Sequence, residues 1–239
     1  MRNPQIFCFP QAGADAACFM AWQPLIGAGG RIHPVSLPGR GNRLDEVPAT
    51  DFATLCDRTF AEIAPLVDGP FYCMGSSMGG WMAHEIARRF ERQGTGPDGI
   101  VVLSTPMPAR LRKLPELNDP DTLVDDIVGV NPVFAEVAQY PELLEMILPT
   151  LRADFRMCNA YRPDTQATVA APILAFAGAQ DPLVPPDTMH GWRSITTAGF
   201  DLNVVPGTHD LHERPTLQMA GQLAAFLSAP HLLKAACDV

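Results

Sequence analysis

The chain has 239 residues, 47% hydrophobic and 18% charged, with a formal net charge of −9; that apolar content suits one domain with a large buried core and excludes a disordered chain. No run approaches roughly 18 consecutive apolar residues, so no membrane-spanning helix is expected, and an acidic balance without a basic block argues against nucleic acid as a partner. The start has Arg2 as its one early cation and an apolar run cut short by Pro10 and Gln11, so it does not read as a signal peptide.

Taken in chain order, apolar β-rich runs at Ile6–Phe9 and Ile32–Leu37 predict the first two strands, and a helical pattern follows over Phe52–Leu66. A strand at Phe71–Met74 leads into a helix over Gly79–Phe90, and Ile-Val-Val-Leu at Ile100–Leu103 makes a fourth strand. From Arg110 to about Tyr161 no strand pattern appears, but helix signals are dense. Asn131 before Pro132 reads as an N-cap with proline at the first helical position, and Pro141 opens another helix. Leu143, Leu144, Ile147, Leu148, Leu151 and Phe155 then fall on one helical stripe, which Pro149 should kink. Strands at Ile173–Ala177 and Leu202–Val205 follow, with helices over Thr188–Ser194 and Thr216–Leu227. This alternation predicts the α/β class, with a mostly parallel central sheet, helices on both faces and strands covered on both sides. Residues 110–161 read as a helical insertion placed like a lid over the sheet edge.

The sharpest local signal is Met74-Gly75-Ser76-Ser77-Met78-Gly79-Gly80, a G-x-S-x-G pattern between a predicted strand and a predicted helix. A turn that tight needs residues without side chains at Gly75 and Gly79, and it lifts the Ser77 hydroxyl clear of the sheet at a helix N-terminus. A serine at its free pKa is a poor nucleophile; it needs a base, and the base needs an orienting acid.

Of the six histidines, His209 follows the last strand in Pro206-Gly207-Thr208-His209, the loop from which a base reaches such an elbow. His212 shares that loop and is its rival. His84 lies in the helix after Ser77, His33 in a strand run, and His190 and His231 in peripheral segments. Asp181, in Gly178-Ala179-Gln180-Asp181-Pro182, sits at a strand's C-terminal end, where open α/β sheets place their sites. Asp187 and Asp201 are further from a strand end and read as solvated, and Asp154, with arginines on both sides, reads as half of an ion pair. For an oxyanion hole, the backbone N–H of Met78 follows the nucleophile, and the loop Pro10–Ala14 supplies a second donor, Ala12.

The six cysteines (Cys8, Cys18, Cys56, Cys73, Cys158, Cys237) show no CxxC pair and no metal-like spacing. Cys8 and Cys73 lie inside apolar runs, which suits buried thiols in a reducing compartment and a cytoplasmic protein.

Six blocks in this order carry a resemblance: Phe9-Pro10-Gln11-Ala12-Gly13; Leu37-Pro38-Gly39-Arg40 with Arg43; the Gly75–Gly79 elbow; Leu151-Arg152-Ala153-Asp154-Phe155; Asp181-Pro182-Leu183-Val184; and Gly207-Thr208-His209. Over residues 5–228 the chain resembles the type II thioesterases, stand-alone editing enzymes of polyketide and nonribosomal peptide assembly lines. The resemblance implies an α/β-hydrolase fold with a helical lid. It also implies hydrolysis of acyl or aminoacyl groups from the phosphopantetheine arm of acyl or peptidyl carrier proteins. No cofactor or metal is expected, and a monomer is the default expectation. The family's nucleophile, acid and base fall on Ser77, Asp181 and His209. Three positions depart from the family: Gln11 and Ser76 stand where it commonly has His, and Ala14 where it has Gly.

The same acyl-serine could pass its acyl group to another acceptor, as an acyltransferase or cyclase does, or serve a general esterase. Carrier proteins are typically acidic, so docking on this acidic chain calls for a local basic patch. Arg110, Arg112 and Lys113 at the start of the insertion, and Arg152 and Arg156 near its end, are the candidates.

Overall fold

The computed structural model describes residues 3–107, 113–132, 134–164 and 166–229. Each predicted strand forms: β1 (Gln5–Phe9), β2 (Arg31–Pro34), β3 (Phe71–Ser76), β4 (Gly99–Leu103), β5 (Ile173–Gly178) and β6 (Phe200–Val205). They pair in parallel, in the order β2-β1-β3-β4-β5-β6. Every residue of β1, β3, β4 and β5 is buried, which is why these runs read as continuously apolar. The edge strands β2 and β6 are partly exposed. β2 ends at Pro34, short of the predicted Leu37, because proline has no N–H for the ladder.

Helices cover both faces. On one lie α1 (Gln23–Ile26) and α7 (Leu217–Ser228), packed on Ile6, Cys8, Tyr72 and Met74. On the other lie α2 (Phe52–Ile63) and α3 (Met78–Arg92), packed on Phe7, Phe9 and Cys73. Their caps follow the sequence: Asp51 Oδ1 accepts from Thr54 N at 2.7 Å, and Thr216 caps α7 by accepting from Met219 N at 3.2 Å. α2 stops at Ile63 rather than Leu66, giving way to a 3₁₀ turn (Ala64–Leu66) around Pro65. Over Pro186–Ile195 the chain forms 3₁₀ turns rather than the predicted α-helix. The buried residues Met189, Trp192 and Ile195 recur every three positions, the 3₁₀ period.

His84 lies in α3 at 4% exposure, edge-on to Trp192 with ring centroids 5.9 Å apart. Burial, which outweighs the neighbouring Glu85 carboxylate, lowers its pKa from 6.5 to about 4, and Arg88 adds to the lowering. Between those values the unfolded chain binds a proton that the folded chain refuses. Stability held above pH 6.5 is therefore lost as pH falls towards 4, by about 2 kcal/mol between pH 7 and pH 5. Urea midpoints at those two pH values should differ accordingly in the native protein, and the difference should shrink in His84→Gln. An unchanged difference would assign the pH dependence elsewhere.

Between β4 and β5 the described residues form α4 (Leu123–Val130), α5 (Phe134–Val137) and α6 (Pro141–Ala160). α4 has Asp125 and Asp126 in its first turn, favourable to the helix dipole. Asn131 closes α4 instead of capping a helix that starts at Pro132, and its carbonyl accepts from Phe134 N at 3.0 Å. Pro141 opens α6 as expected, and the helix continues through Pro149 to Ala160. Its second half is sunk into the protein at Leu151 and Phe155, while Leu143 and Met146 in its first half are exposed.

The anchor of α6 is a buried ion pair. Arg40 donates from Nη1 and Nη2 to Asp154 at 2.7 and 2.9 Å, and Gly13 N donates to the same carboxylate at 2.8 Å. The arginines beside Asp154 in sequence do not pair with it. Arg152 Nε donates to Leu117 O at 2.7 Å and Arg156 Nη2 to Asn118 Oδ1 at 3.3 Å, pinning the first stretch of the insertion. Asp154→Ala leaves the Arg40 guanidinium buried without its partner, and is expected to destabilise the protein by about 3–5 kcal/mol, read from the urea midpoint. A loss under about 1 kcal/mol, the scale of an exposed pair, would sink this account.

Candidate active site

The strand order reverses between β1 and β3, and ligands of open α/β sheets bind beyond the strand ends at such a switch point. Two of the expected residues flank it: Ser77 follows β3, and Ala12 follows β1. Asp181 follows β5 and His209 follows β6, at the same edge of the sheet.

The Ser77 elbow is as tight as its glycines require. A Cβ on Gly75 would collide with the Gly79 carbonyl, and one on Gly79 with the Phe9 carbonyl. Ser77 itself is held at φ 52°, ψ −118°, a conformation that costs an L-residue on the order of 1–3 kcal/mol. α3 begins at the next residue, so the Met78 N–H lies in a first turn whose donors have no intrahelical acceptor, at the positive end of a 15-residue helix.

Gln11–Ala14 forms a turn closed by Ala14 N donating to Gln11 O at 3.2 Å. Gly13 occupies its third position at φ 75°, where the absence of a Cβ is needed both for the angle and for contact with the Leu151 side chain. The Ala12 N–H stands outside the bond that closes this turn. The Asp154–Gly13 bond and a donation from Arg40 Nη1 to Ala14 O at 3.5 Å tie the same turn to α6 and to the loop after β2.

Asp181 and His209, 5% and 2% exposed, meet through Oδ2 and Nδ1 at 2.9 Å. Asp181 Oδ1 accepts from Leu183 N at 2.9 Å and Val184 N at 3.0 Å. Burial alone raises this carboxyl's pKa. The His209 hydrogen bond and charge, with the two amides, outweigh it and hold the pKa below the ordinary 3.8. A carboxylate only accepts, so the neutral imidazole carries its proton on Nδ1 and leaves Nε2 unprotonated.

His212, the rival in the same loop, is occupied elsewhere. Its Nδ1 and Ser76 Oγ share a hydrogen bond of 3.1 Å, both residues are fully buried, and its ring lies 5.5 Å from that of Phe19. Ser76, one of the departures from the family pattern, therefore links the elbow to the loop of His209. His33 sits in edge strand β2 against Phe7, and His190, Asp187 and Asp201 are exposed. His231, Cys237, Arg110 and Arg112 lie outside the described residues. The five described cysteines are free, and burial raises the pKa of Cys8, Cys18, Cys56, Cys73 and Cys158 alike. Among the described residues no helix is long and apolar enough to cross a membrane.

Ser77, Ala12 and His209 line one cavity, closed on its other sides by Trp81, Leu183 and insertion residues including Leu114, Phe134 and Cys158. Nothing in the local sequence marks these walls, or Gln11 as a residue lining the cavity. The apolar spacing of the insertion marked inward-facing residues without saying what they face.

The sequence profile of the Thioesterase domain family matches residues 4–217, and the chain belongs to that family. It is 30% identical over 209 residues to the gramicidin S biosynthesis protein GrsT of Aneurinibacillus migulanus, covering 86% of this chain and 81% of that protein. It is 31% identical over 213 residues to the thioesterase TesA of Mycobacterium leprae, covering 87% of this chain and 80% of the relative. The solved structure of the type II thioesterase BorB from the borrelidin biosynthetic cluster superposes with a TM-score of 0.84 at 30% identity, covering 94% of this chain and 93% of that one. The mostly parallel sheet with helices on both faces is the α/β-hydrolase fold of these thioesterases.

Proposed function

We propose that this chain hydrolyses acyl groups, aminoacyl groups among them, from the phosphopantetheine arm of acyl or peptidyl carrier proteins. One observation carries the reading. A strained serine, a histidine held through Nδ1 by a buried carboxylate, and two loops with spare backbone donors converge at one largely apolar cavity. The likeness to GrsT and BorB, proteins named for peptide and borrelidin biosynthesis, supports carrier-bound thioesters over free esters as substrates.

In this reading His209 Nε2 takes the proton as Ser77 Oγ bonds to the thioester carbon, and the carbonyl electrons move to oxygen. The N–H groups of Met78 and Ala12 hold that oxyanion. Collapse breaks the carbon–sulfur bond and the pantetheine thiol leaves with the proton from His209. Water, deprotonated by His209, then attacks the acyl-serine and frees the acid and Ser77. The base contributes about 10²–10⁴-fold and each oxyanion donor about 10²–10³-fold. In this reading the acyl chain packs against insertion residues that include Leu114, Phe134 and Cys158. Arg152 spends its Nε donor inside the insertion, so Lys113 and Arg156 are the exposed cations among the described docking candidates.

The test is intact-mass spectrometry of a carrier protein loaded with acetyl, malonyl, a longer acyl or an aminoacyl group. Loss of the acyl mass with release of free acid supports the reading. Intact carrier thioesters alongside cleavage of simple oxygen esters would place the chain with general esterases.

A further inference from the structure

Gln11 opens the turn that supplies Ala12, and it lines the cavity of Ser77 and His209. It is 5% exposed, and its Oε1 is buried with no hydrogen-bond partner among the described residues. Buried acceptors are nearly always satisfied, and one left without a donor costs free energy each time the site closes dry. No described residue donates to this oxygen, and Gln11 lines the space that the proposed reaction fills with the acyl group.

We infer that Gln11 Oε1 accepts a hydrogen bond from the substrate's acyl group, which makes this chain selective for hydroxyacyl thioesters over unsubstituted ones of the same length. The inference rests on the thioesterase reading above and names the substrate class of the same cavity. A hydroxyl fits better than an ammonium group because none of the described side chains lining the cavity is a carboxylate. Asp181 is screened behind His209 and satisfied by it and two amides. A buried ammonium would therefore be left without a counter-charge, whereas a neutral hydroxyl needs only an acceptor. Sites built to bond a substrate hydroxyl reject the analogue that lacks it because their own polar group is stranded.

The experiment compares kcat/KM for one carrier protein loaded with butyryl, 2-hydroxybutyryl, 3-hydroxybutyryl or 2-aminobutyryl groups. The native protein should favour the better hydroxybutyryl thioester over butyryl by about 10- to 100-fold, the range expected when a buried acceptor is satisfied rather than stranded. Gln11→Leu and Gln11→Met, which keep bulk and remove the acceptor, should bring that ratio towards one. A general loss of activity does not change a ratio measured within one protein, and the native ratio tests the inference even where a variant fails to fold. A native ratio near one overturns the inference whatever the variants do, as does a ratio that survives in both variants or a preference for the aminobutyryl group. Failure to hydrolyse any of the four would instead overturn the carrier-thioesterase reading itself.

Discussion

Ser77→Ala is expected to lower kcat by about 10⁵–10⁶-fold on carrier-bound thioesters while leaving the unfolding midpoint nearly unchanged. The loss is large because no other hydroxyl among the described residues lining the cavity can form the acyl intermediate. His209 then has nothing to deprotonate but water, and only the oxyanion donors and binding remain. The small stability effect follows from the local geometry. The Ser77 side chain makes no capping bond, and alanine at φ 52° is as strained as serine. Ser77→Gly separates the two quantities further. It should be equally inactive, yet more stable by about 1 kcal/mol, because glycine adopts that angle freely. Turnover within 100-fold of the native value in either variant would remove Ser77 from the role of nucleophile.

Asp181→Asn is the second large effect, a fall in kcat of about 10⁴-fold with KM little changed. The asparagine Oδ1 can still accept from the Leu183 and Val184 amides, so the loop after β5 keeps its shape. Its Nδ2, however, presents a donor to His209 Nδ1 and so favours the tautomer whose Nε2 carries the proton, the wrong atom for taking one from Ser77. The low pKa of Asp181 adds a pH signature. Its folded value is below 3.8, so the pair's contribution to stability is complete above that pH and is lost only as pH falls further. Above that pH the native pH–rate profile therefore does not report protonation of Asp181. Asn variants with turnover within 10-fold of native would show that another group orients the base.

Much of this is legible in the sequence. Strands buried on both faces must be apolar throughout, so β1, β3, β4 and β5 stood out as short hydrophobic runs. The elbow was legible because two glycines are the only residues that its backbone contacts allow. Where the reading slipped, local patterns were ambiguous. Met189, Trp192 and Ile195 fit a 3₁₀ period as well as a loose helical one, and Asn131 suits a helix end as readily as a helix start.

Partner choice is a different matter. Asp154 has arginines two positions away on either side, yet it pairs with Arg40, 114 residues distant. His209 and His212 share a loop and a residue type. One meets a buried carboxylate 28 positions away in the site, and the other meets Ser76 at the back of the elbow.

The sequence by itself therefore determined the α/β class, the position of the tight turn at Ser77 and the order in which Ser77, Asp181 and His209 follow their strands. These rest on sterics and periodicity that act within a few residues of one another. Only the tertiary structure decided which histidine faces the acid, which arginine holds Asp154, and which side chains wall the cavity and leave Gln11 Oε1 without a donor. Those outcomes depend on how the sheet order and the insertion's packing bring distant segments within a few ångströms, a distance that local pattern does not encode.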